Sequence, residues 1–347
     1  MERAHYFIRR TLLAIPTFAG ITIACFGLIQ LIPGGPVEQA ILKMKGAVPG
    51  APGGGAAAAV SISPAQRKAI EAHFGFDKPF YQRYVKWLVR DRMGMRMESY
   101  RFPNKTAWQA IRERLKVSLI FGLTGFILSY LACVPLGIFK ALGHESAFDL
   151  ASSLIVFAAY AVPPLALGMV LKMLLAGTVD GLWDLFPSSG FHSDHFDSLP
   201  PMEKARDIFM HMCLPTLCHV AGNFAALTLL MKNSLMEQIG RDYVRTALAK
   251  GLGFSRAVWG HALRNALIPI ATGFGSILSA MFAGSVIIEQ VFEIPGMGRL
   301  SLEAIVGRDY PVFMGILSLA SLLGLAGNIL SDIAYVVIDP RIHFREN

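Results

Sequence analysis

Six stretches of the chain, residues 11–32, 117–139, 150–171, 213–231, 266–288 and 313–336, are predominantly apolar. Each is close to the ~20 residues that a helix needs to cross the hydrocarbon core of a bilayer. Lipid offers no hydrogen bonds, so backbone passing through it must satisfy its own N–H and C=O groups as a helix. That constraint predicts an all-α polytopic membrane protein with six spanning helices. The charge content agrees, at 16% of 347 residues, against about a quarter in soluble domains. Two spans carry polar pairs four residues apart, His219 with Asn223 and Asn328 with Asp332, and the spacing puts each pair on one helix face. Such a face turns either toward a partner helix, as hydrogen-bonding glue, or toward a wet pathway, and the sequence leaves both open.

The first run follows Arg9 and Arg10 like a secretory leader. It exceeds the roughly 7 to 15 residues of a leader's apolar core, and no small-x-small cleavage site precedes Pro33, so it reads as a retained span. Lys and Arg in the short loops then set the orientation. With residues 1–10 in the cytoplasm, the inner pieces hold Arg3, Arg9, Arg10, Lys140, Lys232, Arg241, Arg245, Lys250, Arg256, Arg264, Arg341 and Arg345. The short outer loops hold only Lys204, Arg206, Arg299 and Arg308, so both termini, 1–10 and 339–347, are expected inside. Residues 33–116 would lie outside, and a segment of that length is exempt from the rule. Within it, residues 46–63 form a Gly/Ala/Pro-rich insert, followed by an amphipathic helix in "PFYQRYVKWLVRD". Its apolar stripe is expected to be Tyr81, Tyr84, Val85 and Leu88, lying at the membrane surface or capping the bundle.

Catalytic signatures are missing. No Gly-x-x-x-x-Gly-Lys-Ser/Thr loop is present to cradle nucleotide phosphates, nor a His-Glu-x-x-His zinc helix, nor a Gly-x-Ser-x-Gly turn. The loop "HSDHFD", with His192, Asp194, His195 and Asp197, has ligand chemistry but reads as solvated surface. Cys25, Cys133, Cys213 and Cys218 read as small hydrophobes. A net charge of +8 with no recognition motif argues against nucleic acid.

Between spans four and five lies a loop, 232–265, rich in cations. Within it "DYVRTALAKG" reads as a short helix stopped at Gly251, and "SRAVWGHALRNALI" as a second helix with Ser255 as N-cap. Ala247 and Gly251 would let another surface approach closely. The charge alone is what any cytoplasmic loop carries, so an interfacial loop and a docking site stand side by side here.

"YVRTALAKGLG" followed by "HALRNALIP" resembles the cytoplasmic loop of permease subunits in binding-protein-dependent ABC importers of the dipeptide and oligopeptide class. The resemblance covers nearly the whole chain, through "RRTLLAIPTFAGITIACFGLIQLIPGGP", "GFDKPFYQRYVKWL", "GSVIIEQVFEIPGMGRL", "RDYP" and "DPRI". "FDSLP" and "AALTLLMKNS" are similar to the YejB-type branch, linked to oligopeptides and to peptide antibiotics of the microcin C kind. Two places depart from the pattern. "RDRMGMRMES" stands where the family carries Gly-Asp-Leu/Phe-Gly, and a proline of the broader ABC signature is replaced around Arg264 and Asn265.

The resemblance implies a type I ABC importer permease fold, with 117–338 as the core. It also implies a transport subunit that is not itself an enzyme and binds no cofactor, ATP and magnesium being used by partners. Those partners would be a second permease subunit, two cytoplasmic ATPase domains as separate or fused chains, a periplasmic peptide-binding protein and membrane lipid. Thr246, Ala247, Lys250, Gly251 and Leu252 would form the coupling helix and its turn against the ATPase. His219, Asn223, Glu289, Asp309, Asn328 and Asp332 are candidates for the translocation pathway, with Glu289 and Asp309 equally able to pair with Arg299 or Arg308. Dipeptide, nickel and opine importers share most of these motifs. An ion-driven secondary transporter, the alternative of a different class, would call for internal repeats and glycine-broken half-helices.

Overall fold

A computed structural model describes residues 2–31, 78–177, 183–271, 273 and 285–338. The insert 46–63, most of the second half of stretch 266–288 and the tail 339–347 lie outside them. Among the described residues there is no strand, only helices and two isolated bridges, Glu98 with Thr106 and Ala176 with Asp184.

The long helices are α1 (Glu2–Leu31), α3 (Ala107–Leu142), α6 (Pro201–Ile239) and α11 (Tyr310–Ile338). Each has the length and apolarity to cross a membrane. Between α1 and α3 runs a short helix, α2 (Phe80–Val85), which widens into a π-helical turn, Lys86–Arg90. After α3 come α4 (Ala147–Ala161) and α5 (Pro164–Leu175). After α6 come α7 (Asp242–Ala249), then α8 (Phe254–Ala257) with a π-helical turn, Val258–Ala262, and helical backbone on to residue 271. Two short helices, α9 (Val286–Val291) and α10 (Met297–Val306), lead into α11.

At 36 and 39 residues, α3 and α6 are about 54 and 58 Å long, well beyond a hydrocarbon core of about 30 Å. A Thr106 capping box with Gln109 starts α3, and the Pro200–Pro201 pair starts α6. The two helices form the most extensive contact in the fold. Small residues permit it: a Cβ built on Gly137 would lie 2.6 Å from Met231 Cβ and 2.7 Å from the Thr228 carbonyl oxygen. Gly125 makes the same allowance for the His219 ring.

Three expectations are corrected here. Stretch 150–171 is predominantly apolar but not one helix, for α4 and α5 meet at 95°. Pro163 and Pro164 cause the break: a residue before proline is driven out of the helical region, and Val162 is extended at φ −89°, ψ 118°. Pro164 then supplies the first position of α5. Second, the inward stripe of the helix 80–90 is Tyr84 and Trp87 with Leu88, whereas Tyr81 and Val85 point outward. Third, the N-cap of α8 is Gly253, and Ser255 lies inside the helix without capping it.

A buried ionic cluster ties three helices together at the end of the bundle that carries α7. Lys140, on α3, is fully buried and donates to the Asp149 carbonyl (2.9 Å) and to the hydroxyls of Ser152 (2.9 Å) and Ser153 (2.7 Å), all on α4. The Asp149 carboxylate pairs with Lys140 at 3.0 Å, and both of its oxygens accept from the Lys232 ammonium, on α6, at 2.8 and 2.7 Å. Both lysines had been counted as loop cations, and the fold spends them inside.

Two tests follow from this packing. Asp149→Asn leaves two buried ammonium groups facing no anion, so the detergent-solubilised protein should lose on the order of 3 kcal/mol and unfold at a lower temperature. An unchanged midpoint would show the cluster contributes nothing to the bundle. Gly137→Ala forces a methyl onto a backbone carbonyl and should cost about 1 to 3 kcal/mol. Gly260→Ala, where a Cβ meets nothing within 4 Å, should leave the midpoint in place.

Candidate functional site

Helix α7 is built to be held from one side only. Its Val244 is fully buried, and Ala247 and Leu252 pack partly buried onto the same cluster: Ile138 and Ala141 of α3, Met231 and Leu235 of α6, Ala257 of α8, and Val258 and Ala262 of the turn after it. The helix ends by backbone geometry. Gly251, at φ +89°, lets the N–H of Leu252 reach the Ala247 carbonyl (3.2 Å), while its own N–H reaches that of Leu248 (2.9 Å). This paired closure satisfies the last carbonyls and needs a left-handed residue at its corner, which glycine adopts without steric cost. The Ser234 hydroxyl donates to the Ala266 carbonyl (2.8 Å) and pins the next helix to α6.

What remains outward is an unpaired face. Thr246, Leu248, Ala249, Lys250 and Gly251 are exposed, and Gly251 has open space around it. Tyr243, Phe254 and Trp259 flank them at 38%, 51% and 52% exposure. Local pairs order this surface: Arg241 with Glu237, the Tyr243 hydroxyl donating to Gln238 (2.9 Å), and Arg245 beside Asp242 (3.6 Å). Of the five residues expected at the coupling surface, Thr246, Lys250 and Gly251 face out, and Ala247 and Leu252 face the protein's own core.

The six pathway candidates have different surroundings. Glu289, fully buried on α9, accepts the backbone N–H of Ser285 (3.2 Å) and Arg299 (2.8 Å) and the Ser118 hydroxyl (3.4 Å). Ser118 in turn accepts the Met297 N–H (2.7 Å), so one carboxylate and one hydroxyl join α9, α10 and α3. The expected Arg299 partnership exists through the backbone alone, for its guanidinium pairs with Glu303 (3.1 Å). Asp309 is also fully buried: it caps α11 through the Val312 N–H (3.4 Å) and holds the segment before α3 through the Ser99 hydroxyl and the Arg101 N–H. Burial, and then the Asp309 charge, push the nearby Tyr100 phenol well above its usual range, so it stays neutral. Asp332 is buried against α1 and pairs with Arg10 at 2.7 Å. His219 lies edge-on to Phe121, while Asn223 and Asn328 are exposed.

In the "HSDHFD" loop His192 stacks on Phe196 with centroids 4.5 Å apart. Among the described residues no group of three or more His, Cys, Asp and Glu side chains is placed to hold a metal. The Lys140–Asp149–Lys232 cluster, at the same end of the bundle as α7, has no local sequence signal: its members lie 9 and 83 residues apart.

Comparison with known proteins places this architecture. The family described as the binding-protein-dependent transport system inner membrane component matches residues 133–344. The inner membrane ABC transporter permease protein YejB of Escherichia coli O157:H7 is 39% identical, over 98% of both chains. The peptidoglycan transport system permease protein YejB of Agrobacterium fabrum is also 39% identical, again over 98% of both. The oligopeptide transport system permease protein AppB of Bacillus subtilis is 32% identical, over 98% of this chain and 100% of its own length. A helical bundle with a helix-and-glycine-turn loop held at one end, matched along its length by such relatives, belongs to the inner-membrane permease family of binding-protein-dependent transport systems.

Proposed function

We propose that this chain is one of two membrane subunits of an ATP-driven importer that carries oligopeptides inward across the inner membrane. It is a multi-pass inner-membrane protein of the permease class, and its relatives are named for peptidoglycan, oligopeptide and dipeptide transport. Peptides are the chemistry those names share. In this reading six spans carry both termini in the cytoplasm, and a periplasmic peptide-binding protein delivers cargo. Two cytoplasmic ATPase domains supply the work, and the chain itself hydrolyses nothing. Peptide antibiotics such as microcin C would enter by the same route.

One observation carries the reading. Helix α7 is locked to its own bundle by Val244, Ala247 and Leu252, and turns Thr246, Lys250 and the open Gly251 corner outward. A helix seated this way transmits displacement as a rigid body, because its inner face grips the ends of α3 and α6 and its outer face is free to be gripped. ATP would then drive alternating access through its preference for one arrangement of the ATPase pair. An ion-driven transporter is disfavoured by the acids, since Glu289, Asp309 and Asp332 are committed to internal tethers.

The test is uptake of a labelled oligopeptide by the assembled transporter in proteoliposomes. Thr246→Trp, on the exposed face, should insert and melt like the unaltered protein yet lower ATP-driven uptake about tenfold or more. Arg112→Ala, exposed at the start of α3, should not. Full uptake in the Thr246 variant at equal membrane abundance would remove α7 from the coupling role.

A further inference from the structure

The helix from Phe80 to Arg90 has two unlike faces. Inward, Tyr84 and Trp87 pack with Leu88 onto Cys25, Phe26 and Ile29 of α1 and onto Tyr310 and Met314 of α11. The Tyr84 and Thr22 hydroxyls lie 2.8 Å apart, and Phe26 meets the rings of Phe80, Tyr84 and Trp87 within 6 Å. Outward, Tyr81, Val85 and Val89 recur every fourth residue at 64%, 53% and 69% exposure. One position beyond Val85 and Val89, exposed Lys86 and Arg90 form a parallel cationic row.

Depth decides what that outer face meets. Its inward side grips residues 22–29, the last two turns of the apolar run His5–Ile29 in α1, so the helix lies toward the end of the span, where hydrocarbon gives way to headgroups. Charge points the same way. Residues 78–116 hold eleven Lys or Arg against three Asp or Glu, a net +8 equal to that of the entire chain. An apolar stripe with a cationic border at this depth is the pattern of a helix lying in a bilayer interface and drawn to anionic lipid.

We propose that Tyr81, Val85 and Val89 with Lys86 and Arg90 form a binding site for anionic phospholipid, the stripe among the upper acyl carbons and the two cations on headgroup phosphates. An acidic protein surface would satisfy the cations and leave three large apolar side chains uncovered at the hydrocarbon edge. The site depends only on the helix sitting at the end of α1, so it stands in either membrane orientation and apart from the transport reading.

The chain in nanodiscs of phosphatidylcholine, doped with a photoactivatable analogue of phosphatidylglycerol or of phosphatidylcholine, tests this. Crosslinks mapped by mass spectrometry should fall on residues 80–90 and favour phosphatidylglycerol. Lys86→Gln with Arg90→Gln should reduce that preference about fivefold per cation removed, without moving the melting midpoint, since both side chains are exposed. Equal crosslinking by the two lipids in the unaltered chain, or a preference unmoved in the double variant, overturns the site. So does a photoreactive residue at Val89 that crosslinks to a protein subunit rather than to lipid in the assembled transporter.

Discussion

The bundle depends on the close approach of α3 and α6. In a bilayer helices gain nothing from hiding apolar surface, since lipid tails are as apolar as leucine, so association rests on dispersion contacts and interhelical polar groups. Gly137 against Met231 and the Thr228 carbonyl supplies the first, bringing two backbones as near as their atoms allow. The Lys140–Asp149–Lys232 cluster supplies the second at one end, and Glu289 with Ser118 supplies it at the other. Each polar group is costly alone and favourable only when fully partnered. That makes the cluster geometry demanding: α4 cannot slide along α3 and α6 without exposing a buried charge.

Much of this was legible in the sequence, and the boundary follows the physics. Hydropathy finds long apolar helices because every residue of a span reports on the same solvent. It does not report the 95° bend in stretch 150–171, which lies in the backbone, although Pro163 and Pro164 stand in plain view. The α7 stop was readable because one residue, Gly251, performs it locally. Orientation of side chains was not. Ala247, expected outward as a small contact, packs inward, and of the stripe Tyr81, Tyr84, Val85 and Leu88 only Tyr84 and Leu88 face in, joined by Trp87. A pattern narrows which residues can share a face, while the neighbour that covers one side of the helix comes from elsewhere in the chain and draws the line between in and out.

The acids show the same limit more sharply. An ionisable group near the membrane edge reads as functional by default, yet Asp309 caps a helix, Glu289 gathers three backbone and side-chain donors, and Asp332 meets Arg10 from the far end of the sequence. Ser99 lies 210 residues from Asp309, and Ser118 lies 171 from Glu289. No local window contains both partners, so sequence reading sees a charge and cannot see its resolution.

That use of charge bears on how a path for peptides could exist. With the buried acids sealed into tethers, the exposed polar groups among the pathway candidates are the amides of Asn223 and Asn328. Around them the bundle turns broad apolar faces outward, including Leu150, Leu154 and Ile155 on α4 and Leu12, Leu13 and Ile15 on α1. Asn223 donates to the His219 carbonyl (3.1 Å), and because an amide facing lipid is unfavourable, the remaining polar capacity of each is best satisfied against another polar surface. On the proposed reading, a second permease subunit would cover the exposed Asn223 and Asn328 and leave the tethers at both ends free to hold each half rigid while the halves move.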